Sequence, residues 1–362
     1  MRQKYDNPDY HFNGDSLIQL DDGSLLSFYF SMSSPLKIYD QKEFKEKLSI
    51  DLKENLKEHN KKIIYNDEEE EEDEDEENKS FQLTVIQLKN KSILVGYYNY
   101  LIEIKLNDKN FESKVIFKDK DYILNINELP DGRIILITNN SILVLKDLIL
   151  KDKYNIKKNW KIVPLSLTNR YCGDFNQYFS SNILPDERIL IRSFSTELSY
   201  HGGCGTHPPD EFTHSKIIFL NTKNFEEIKT TEEFESDCRA LVFENLIIIQ
   251  VYHDIYLYDI KTLENIKKME IDGRYCYFEK YNENEIIAYS IYESVNDLLI
   301  YRVEGYDIIK SLEIKKKFKF RPEIGWNFYS IIRYNNKILF VLKDKRVILL
   351  CHDSAILFNL EL

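Results

Sequence analysis

Seven times along the chain an apolar segment, a short polar turn and a second apolar segment follow one another. They read "SLIQLDDGSLLSFYF", "LTVIQLKNKSILVGYY", "LNINELPDGRIILIT", "SSNILPDERILIRSF", "RALVFENLIIIQVY", "YFEKYNENEIIAYSI" and "YSIIRYNNKILFVL". Each has the pattern of a β-hairpin, with Asp, Asn, Gly or Pro in its turn. Anchored at Asp22, Asn90, Asp131, Asp186, Asn245, Glu283 and Asn335, successive turns lie 68, 41, 55, 59, 38 and 52 residues apart. This recurrence limits the fold more than any other property of the chain. A lone hairpin cannot bury its apolar surface, so the units must stack on one another.

A second pattern recurs behind the first. "YDQKEF" (Tyr39 to Phe44), "LNDKNF" (Leu106 to Phe111), "LNTKNF" (Leu220 to Phe225) and "YDIKTL" (Tyr258 to Leu263) each follow a strand-like segment. In each, an Asp or Asn side chain can bond the backbone two residues on and close a bend. The apolar residue that ends the pattern is expected to start the next strand. Each unit then holds four strands. The second strand of each unit, as in "LIIIQVY" and "KILFVL", is almost continuously apolar, as a strand covered on both faces must be.

Seven units of four strands predict an all-β fold, a seven-bladed β-propeller of four-stranded antiparallel blades in a single domain over residues 1–362. The pattern resembles the WD40-like propellers across roughly residues 12 to 362. Tyr39-Asp40 and Tyr258-Asp259 stand where that family carries Trp-Asp, and its Gly-His dipeptide is absent. The resemblance implies a rigid, usually non-catalytic platform that binds other proteins. "AILFNLEL" is expected to supply the last blade's own fourth strand, because the N-terminal "MRQKYDNPDY" is poor in β-formers.

Charge is distributed unevenly. Asp67 to Glu77, "DEEEEEDEDEE", is an unbroken acidic run, and without these eleven charges the net −12 becomes −1. The near-neutral remainder gives no support to a nucleic-acid partner. The run itself is expected to be a disordered, solvated part of an acidic insertion over 45–80, preceded by a short helix within about residues 41 to 62. No apolar stretch is long enough to suggest a membrane span, and none near the N-terminus has the character of a secretory signal. Five scattered cysteines, an odd number, fit a reducing compartment. The expectation is an intracellular protein, cytoplasmic or nuclear, with one or more protein partners, no nucleic acid, no membrane and no cofactor.

Further insertions are expected at 148–177, 196–214 and 314–327. The 196–214 insertion holds "SYHGGCGTHPPDEFTH", Ser199 to His214, with three of the seven histidines. Its favoured reading is an exposed partner-binding loop carrying His201, Cys204, His207, Pro208, Pro209, Asp210, Phe212 and His214. Loops held on a rigid scaffold commonly carry binding. A metal reading takes His201, Cys204, His207 and His214 as zinc ligands, although their spacing is not a usual paired one. A nucleophile reading takes Cys204 beside a histidine. "KKKFKFR" in the 314–327 insertion reads as an edge strand with solvated lysines.

The function expected is therefore a non-catalytic interaction scaffold, and not an enzyme. The alternative is a propeller enzyme, or a metal-binding protein using the His/Cys loop. A propeller enzyme should place Asp, Glu or His where several innermost strands begin. Those starts read Ser16, Gln82, Tyr122, Gln177, Asp237, Arg274 and Asn327, which do not form such a set. The expected result of elemental analysis on purified protein is no stoichiometric zinc. One equivalent, lost when His207 and His214 are changed to Ala, would promote the metal reading.

Overall fold

A computed structural model of the chain describes residues 10–11, 16–28, 35–40, 42–52, 83–107, 110–138, 140–156, 181–199, 210–236, 238–251, 254–270, 277–289, 297–315, 337–342, 346–351 and 354–358. The acidic run lies outside the described residues. All of the named elements are strands. β1 (Tyr10–His11) comes first in the chain and pairs last, as set out below. No helix among the described residues is long and apolar enough to cross a membrane.

The chain forms two compact units. One contains three four-stranded antiparallel sheets, each in sequence order. The first is β2 (Ser16–Gln19), β3 (Leu25–Phe28), β4 (Leu36–Tyr39) and β5 (Glu46–Ile50). The second is β6 (Leu83–Gln87), β7 (Ile93–Tyr97), β8 (Tyr100–Leu106) and β9 (Phe111–Lys118). The third is β10 (Ile123–Glu128), β11 (Ile134–Thr138), β12 (Ser141–Lys146) and β13 (Ile149–Asn155).

The other unit contains four such sheets. They begin with β14 (Ser181–Ile183), β15 (Ile189–Ser199), β16 (Asp210–Leu220) and β17 (Glu227–Thr230), followed by β18 (Cys238–Val242), β19 (Leu246–Val251), β20 (Asp254–Asp259) and β21 (Asn265–Glu270). Then come β22 (Tyr277–Asn282), β23 (Glu285–Tyr289), β24 (Asp297–Glu304) and β25 (Asp307–Lys315), and finally β26 (Lys337–Val341), β27 (Val347–Cys351) and β28 (Ser354–Phe358). β1 completes the last sheet, pairing Tyr10 with Ala355 and His11 with Ser354.

The second strand of a sheet is buried on both faces, as its composition requires. In β7, Ile93 and Val95 join a core with Leu26 and Ile38 of the first sheet, while Leu94 joins Ile126, Leu136 and Leu143 of the third. β19 repeats the arrangement: Ile247 and Ile249 pack with Ile217 and Phe219, and Ile248 packs with Phe278 and Ile286. Alternate residues of one strand thus serve two cores, and each such side chain contributes roughly 1.5–3 kcal/mol on burial.

The hairpin turns follow one rule. Leu20, Leu88, Leu129 and Leu184 each donate a backbone N–H four residues ahead, to Ser24, Ser92, Arg133 and Arg188. Gly23, Lys91, Gly132 and Glu187 turn through positive φ (87°, 71°, 82° and 66°). Asp22, Asn90, Asp131 and Asp186 close each bend by accepting the backbone N–H two residues on, at 2.9, 3.0, 3.1 and 3.3 Å.

The turn signature corrects the frame of the last unit. Leu342 N donates to Arg346 O at 2.8 Å, so the hairpin turn is "LKDKR" and not the bend at Asn335, which lies outside the described residues. "KILFV" is consequently a first strand and "SAILF" a third. The outer edge of the sheet is left vacant, and the N-terminal segment fills it. The expectation that no strand is exchanged between the termini was wrong because an open backbone edge outweighs weak β-propensity.

Other boundaries also move. Residues 46–50 are strand β5 and not helix, and residues 149–155 are strand β13 and not insertion. In both, the sheet's need for a fourth strand overrides local composition. In the second repeated turn, Phe111 does open β9, but Phe44, Phe225 and Leu263 sit at φ of 54°, 55° and 58°, with the strand starting two residues later. These three side chains are buried, which holds them in a conformation apolar residues rarely take. Asp40 accepts from Glu43 N and Lys42 N, which lowers its carboxyl to about 2. Asp259, bonded by Thr262 N and Tyr306 Oη, is also lowered to about 2.

Gly96 in β7 sits against its own neighbour strand β6 and against β10 of the next sheet. A Cβ there would lie 2.5 Å from Thr84 Cγ2 and 2.7 Å from Ile123 Cγ2, both on side chains stiff at χ1. Gly96→Ala should therefore lower stability by about 1–3 kcal/mol, read as a lower urea midpoint. An unchanged midpoint would mean the sheets can separate without penalty.

Candidate functional site

The structure resolves part of the expected 196–214 loop as a continuation of its sheet. β15 and β16 pair from Ile189↔Leu220 to Ser199↔Asp210, so Asp210, Phe212 and His214 are strand residues. The exposed-loop expectation is corrected there. β14 accompanies this hairpin only at Ile189–Ile191 and β17 only at Ile218–Leu220, so its outer half has no third strand among the described residues. His201, Cys204, His207, Pro208 and Pro209 lie outside the described residues. His214 Nδ1 is 3.5 Å from Glu233 Oε1. No cluster of three or more His, Cys, Asp or Glu able to hold a metal occurs among the described residues.

A different group of residues gathers at the first strands β18 and β22. Arg239, second in β18, and Glu279, third in β22, bring Nη1 and Oε1 to 3.5 Å. Their sheets are consecutive, and a shared core of Leu257, Phe278 and Ile286 fixes the two strands against each other. Arg192 is 5% exposed and donates through Nη1 to Cys238 O at 3.0 Å, holding the start of β18 against β15. Lys280 Nζ donates to Val242 O at 3.1 Å and lies 4.9 Å from the Phe243 ring centroid, tying β22 to the end of β18.

Burial raises the Glu279 carboxyl to about 7, with Arg239 pulling the other way. Its side chain nonetheless keeps 36% of its surface, so the group is crowded by protein yet reachable by solvent. A carboxyl balanced near neutrality can take up or release a proton, and a neighbouring guanidinium can hold a developing negative charge.

This pair does not stand at the strand starts expected to carry acids. Ser16 does begin β2 and Tyr122 immediately precedes β10, but Gln82, Gln177, Asp237, Arg274 and Asn327 lie outside the described residues. Glu279 lies further along its strand. The available signal was an acid inside the apolar-aromatic run "YFEKY".

No family model matches the chain. No curated protein matches it either. Among solved structures it is similar to a streptogramin B lyase, at 11% identity and TM-score 0.51, over 96% of this chain and 93% of that one. It is similar also to a virginiamycin B lyase from Staphylococcus aureus, at 10% identity and TM-score 0.52, over 98% of this chain and 97% of that one. With the repeated four-stranded sheets, these likenesses show a β-propeller fold, and they do not single out the WD40-like type. They overturn the expectation that the chain is not an enzyme: structures alike over nearly its whole length are lyases, so the architecture gives no ground for a non-catalytic reading.

Glu279 makes stability pH-dependent with a definite sign. Its folded pKa of about 7 lies above the roughly 4.3 of an unfolded glutamate. The folded chain therefore binds the extra proton between these values, and stability falls as pH rises through that window. Wild type should gain more in urea midpoint from pH 8 to pH 5 than Glu279→Gln does. Equal gains would place the Glu279 titration elsewhere.

Proposed function

We propose that the chain is a β-propeller of seven blades that performs general acid–base chemistry on a small polar ligand, with Glu279 carrying the proton and Arg239 holding an anionic or carbonyl oxygen. The observation that carries this reading is the Arg239–Glu279 pair on neighbouring first strands, crowded by protein and still open to solvent. Both side chains project from rigid strands, so their separation is set by sheet packing and not by a loop. The lyase activity of the similar structures supports a catalytic use of this fold but assigns no substrate.

A second reading rests on the outer half of the β15–β16 hairpin, whose backbone pairing runs past its neighbouring strands and would offer an edge to a protein partner.

The test is turnover of a mixture of small carboxylates, esters and lactones, followed by mass spectrometry at several pH values. Wild type should consume at least one compound with a pH profile inflecting near 7. Glu279→Gln should lower the rate by about 10²–10⁴, and Arg239→Lys should weaken it with the inflection retained. No turnover by wild type, or equal turnover by Glu279→Gln, would overturn the catalytic reading.

A further inference from the structure

The link between β9 and β10, in the other unit, carries two carboxylates that the chemistry at Glu279 does not involve. Asp119 and Asp121 each keep only 8% of their side-chain surface. Asn99 Nδ2 donates to Asp119 O at 2.7 Å, and Asn140 Nδ2 donates to Asp121 Oδ1 at 2.7 Å. Asp119 Oδ1 accepts from Lys120 N at 2.7 Å and from Asp121 N at 3.2 Å. The backbone is locked as well, with Asp119 N bonded to Asn99 O and Ile123 N to Tyr98 O.

The charges do not balance. Among the described residues, the ion pairs of both carboxylates go to one ammonium, that of Lys153 on the outer strand β13. Its Nζ lies 3.2 Å from both Asp119 oxygens and 3.9 Å from Asp121 Oδ2. Asp121 Oδ2 is buried and has no hydrogen-bond partner among the described residues, in a residue only 6% exposed. A buried carboxylate oxygen without a donor is costly, and one shared cation leaves a net negative charge.

Aromatic rings stand beside this pocket of charge. Tyr122 follows Asp121 directly, and its ring centroid is 6.5 Å from that of Tyr98. Tyr98 has φ of 52°, a conformation a bulky residue adopts only when its surroundings enforce it. Lys118 Nζ already lies 5.3 Å from the Tyr100 ring centroid, so rings of this group do receive cations.

We propose that Asp119 and Asp121 form a recognition site for a primary alkylammonium, the chemistry shared by a free amine and by the end of a protein lysine. Lys153 is the chain's own competing occupant. It is held at the rim of an outer strand with 34% of its side chain exposed, and can swing out while an incoming ammonium donates to Asp121 Oδ2. A hard divalent cation fits less well, because calcium takes six to eight oxygen ligands and, among the described residues, two carboxylates converge here.

The probe is n-butylammonium chloride, titrated into the full chain with melting temperature and calorimetry as readouts, and sodium chloride at equal ionic strength as control. Lys153→Met should bind the probe at least tenfold more tightly than wild type and recover melting temperature as it saturates. Asp121→Asn keeps the shape and should lose at least tenfold in affinity. If that variant does not fold by circular dichroism, Asp119→Asn takes its place. Nα-acetyl-lysine amide distinguishes the sources: binding means the site admits a protein lysine, and its failure beside butylammonium binding restricts the site to free amines. The proposal is overturned by absence of butylammonium binding to Lys153→Met, by affinity indifferent to the aspartate substitution, or by calcium binding more tightly than the amine.

Discussion

The structure depends on strands that are apolar on both faces. A segment such as Leu246–Val251 has no side suited to water, so its sheet cannot stand alone and must be covered twice. Everything else in each unit serves that requirement. Polar turns keep the hairpins in register, and side chains at the ends of first strands reach across to the adjoining turn. Gln87 accepts from Asp21 N at 2.6 Å and Glu128 from Lys89 N at 2.8 Å, the same bond made one sheet later. Polar and charged residues accumulate on the outer strands, where Lys153, Lys229, Lys267 and Lys268 each pair with a carboxylate. Lysines there also discourage edge-to-edge pairing with other chains.

Where the code was periodic, the sequence could be read. Turns built on Asp22, Asn90, Asp131 and Asp186 are written in their own residues, with an Asx side chain, a left-handed residue and two flanking apolar runs. The last sheet departs from the sequence expectation because the conspicuous "NN" at 335–336 set the frame, although the turn at Leu342–Arg346 repeats the Leu-x-Asp-x-Arg form. The edge strands β5 and β13 were hidden for the opposite reason. "EKLSI" and "ILKDKYN" are largely solvated and have a high charge content, so their identity comes from the strand they pair with and not from their own pattern.

The candidate site was less legible than the fold. Histidines and a cysteine in a glycine-rich stretch attract notice because those residues are rare here, whereas a glutamate is one of many. What distinguishes Glu279 is its environment: desolvation by packed neighbours, and one guanidinium 3.5 Å away contributed from a strand forty residues earlier. Neither follows from spacing along the chain. The same holds for Asp121, whose burial comes from a turn at Tyr98–Asn99 and an amide at Asn140.

The pairing of Tyr10 and His11 with Ala355 and Ser354 has a consequence for how the chain is made. Tyr10 is made 345 residues ahead of Ala355, so the first of these strands has nothing to pair with until the intervening chain has followed. Until then its backbone groups have no sheet to join and stay open to any extended peptide nearby. Contacts between residues so far apart in sequence form slowly. The nascent protein thus passes through a long interval in which it is nearly folded yet adhesive, and a chaperone able to cover one strand edge would be matched to that interval.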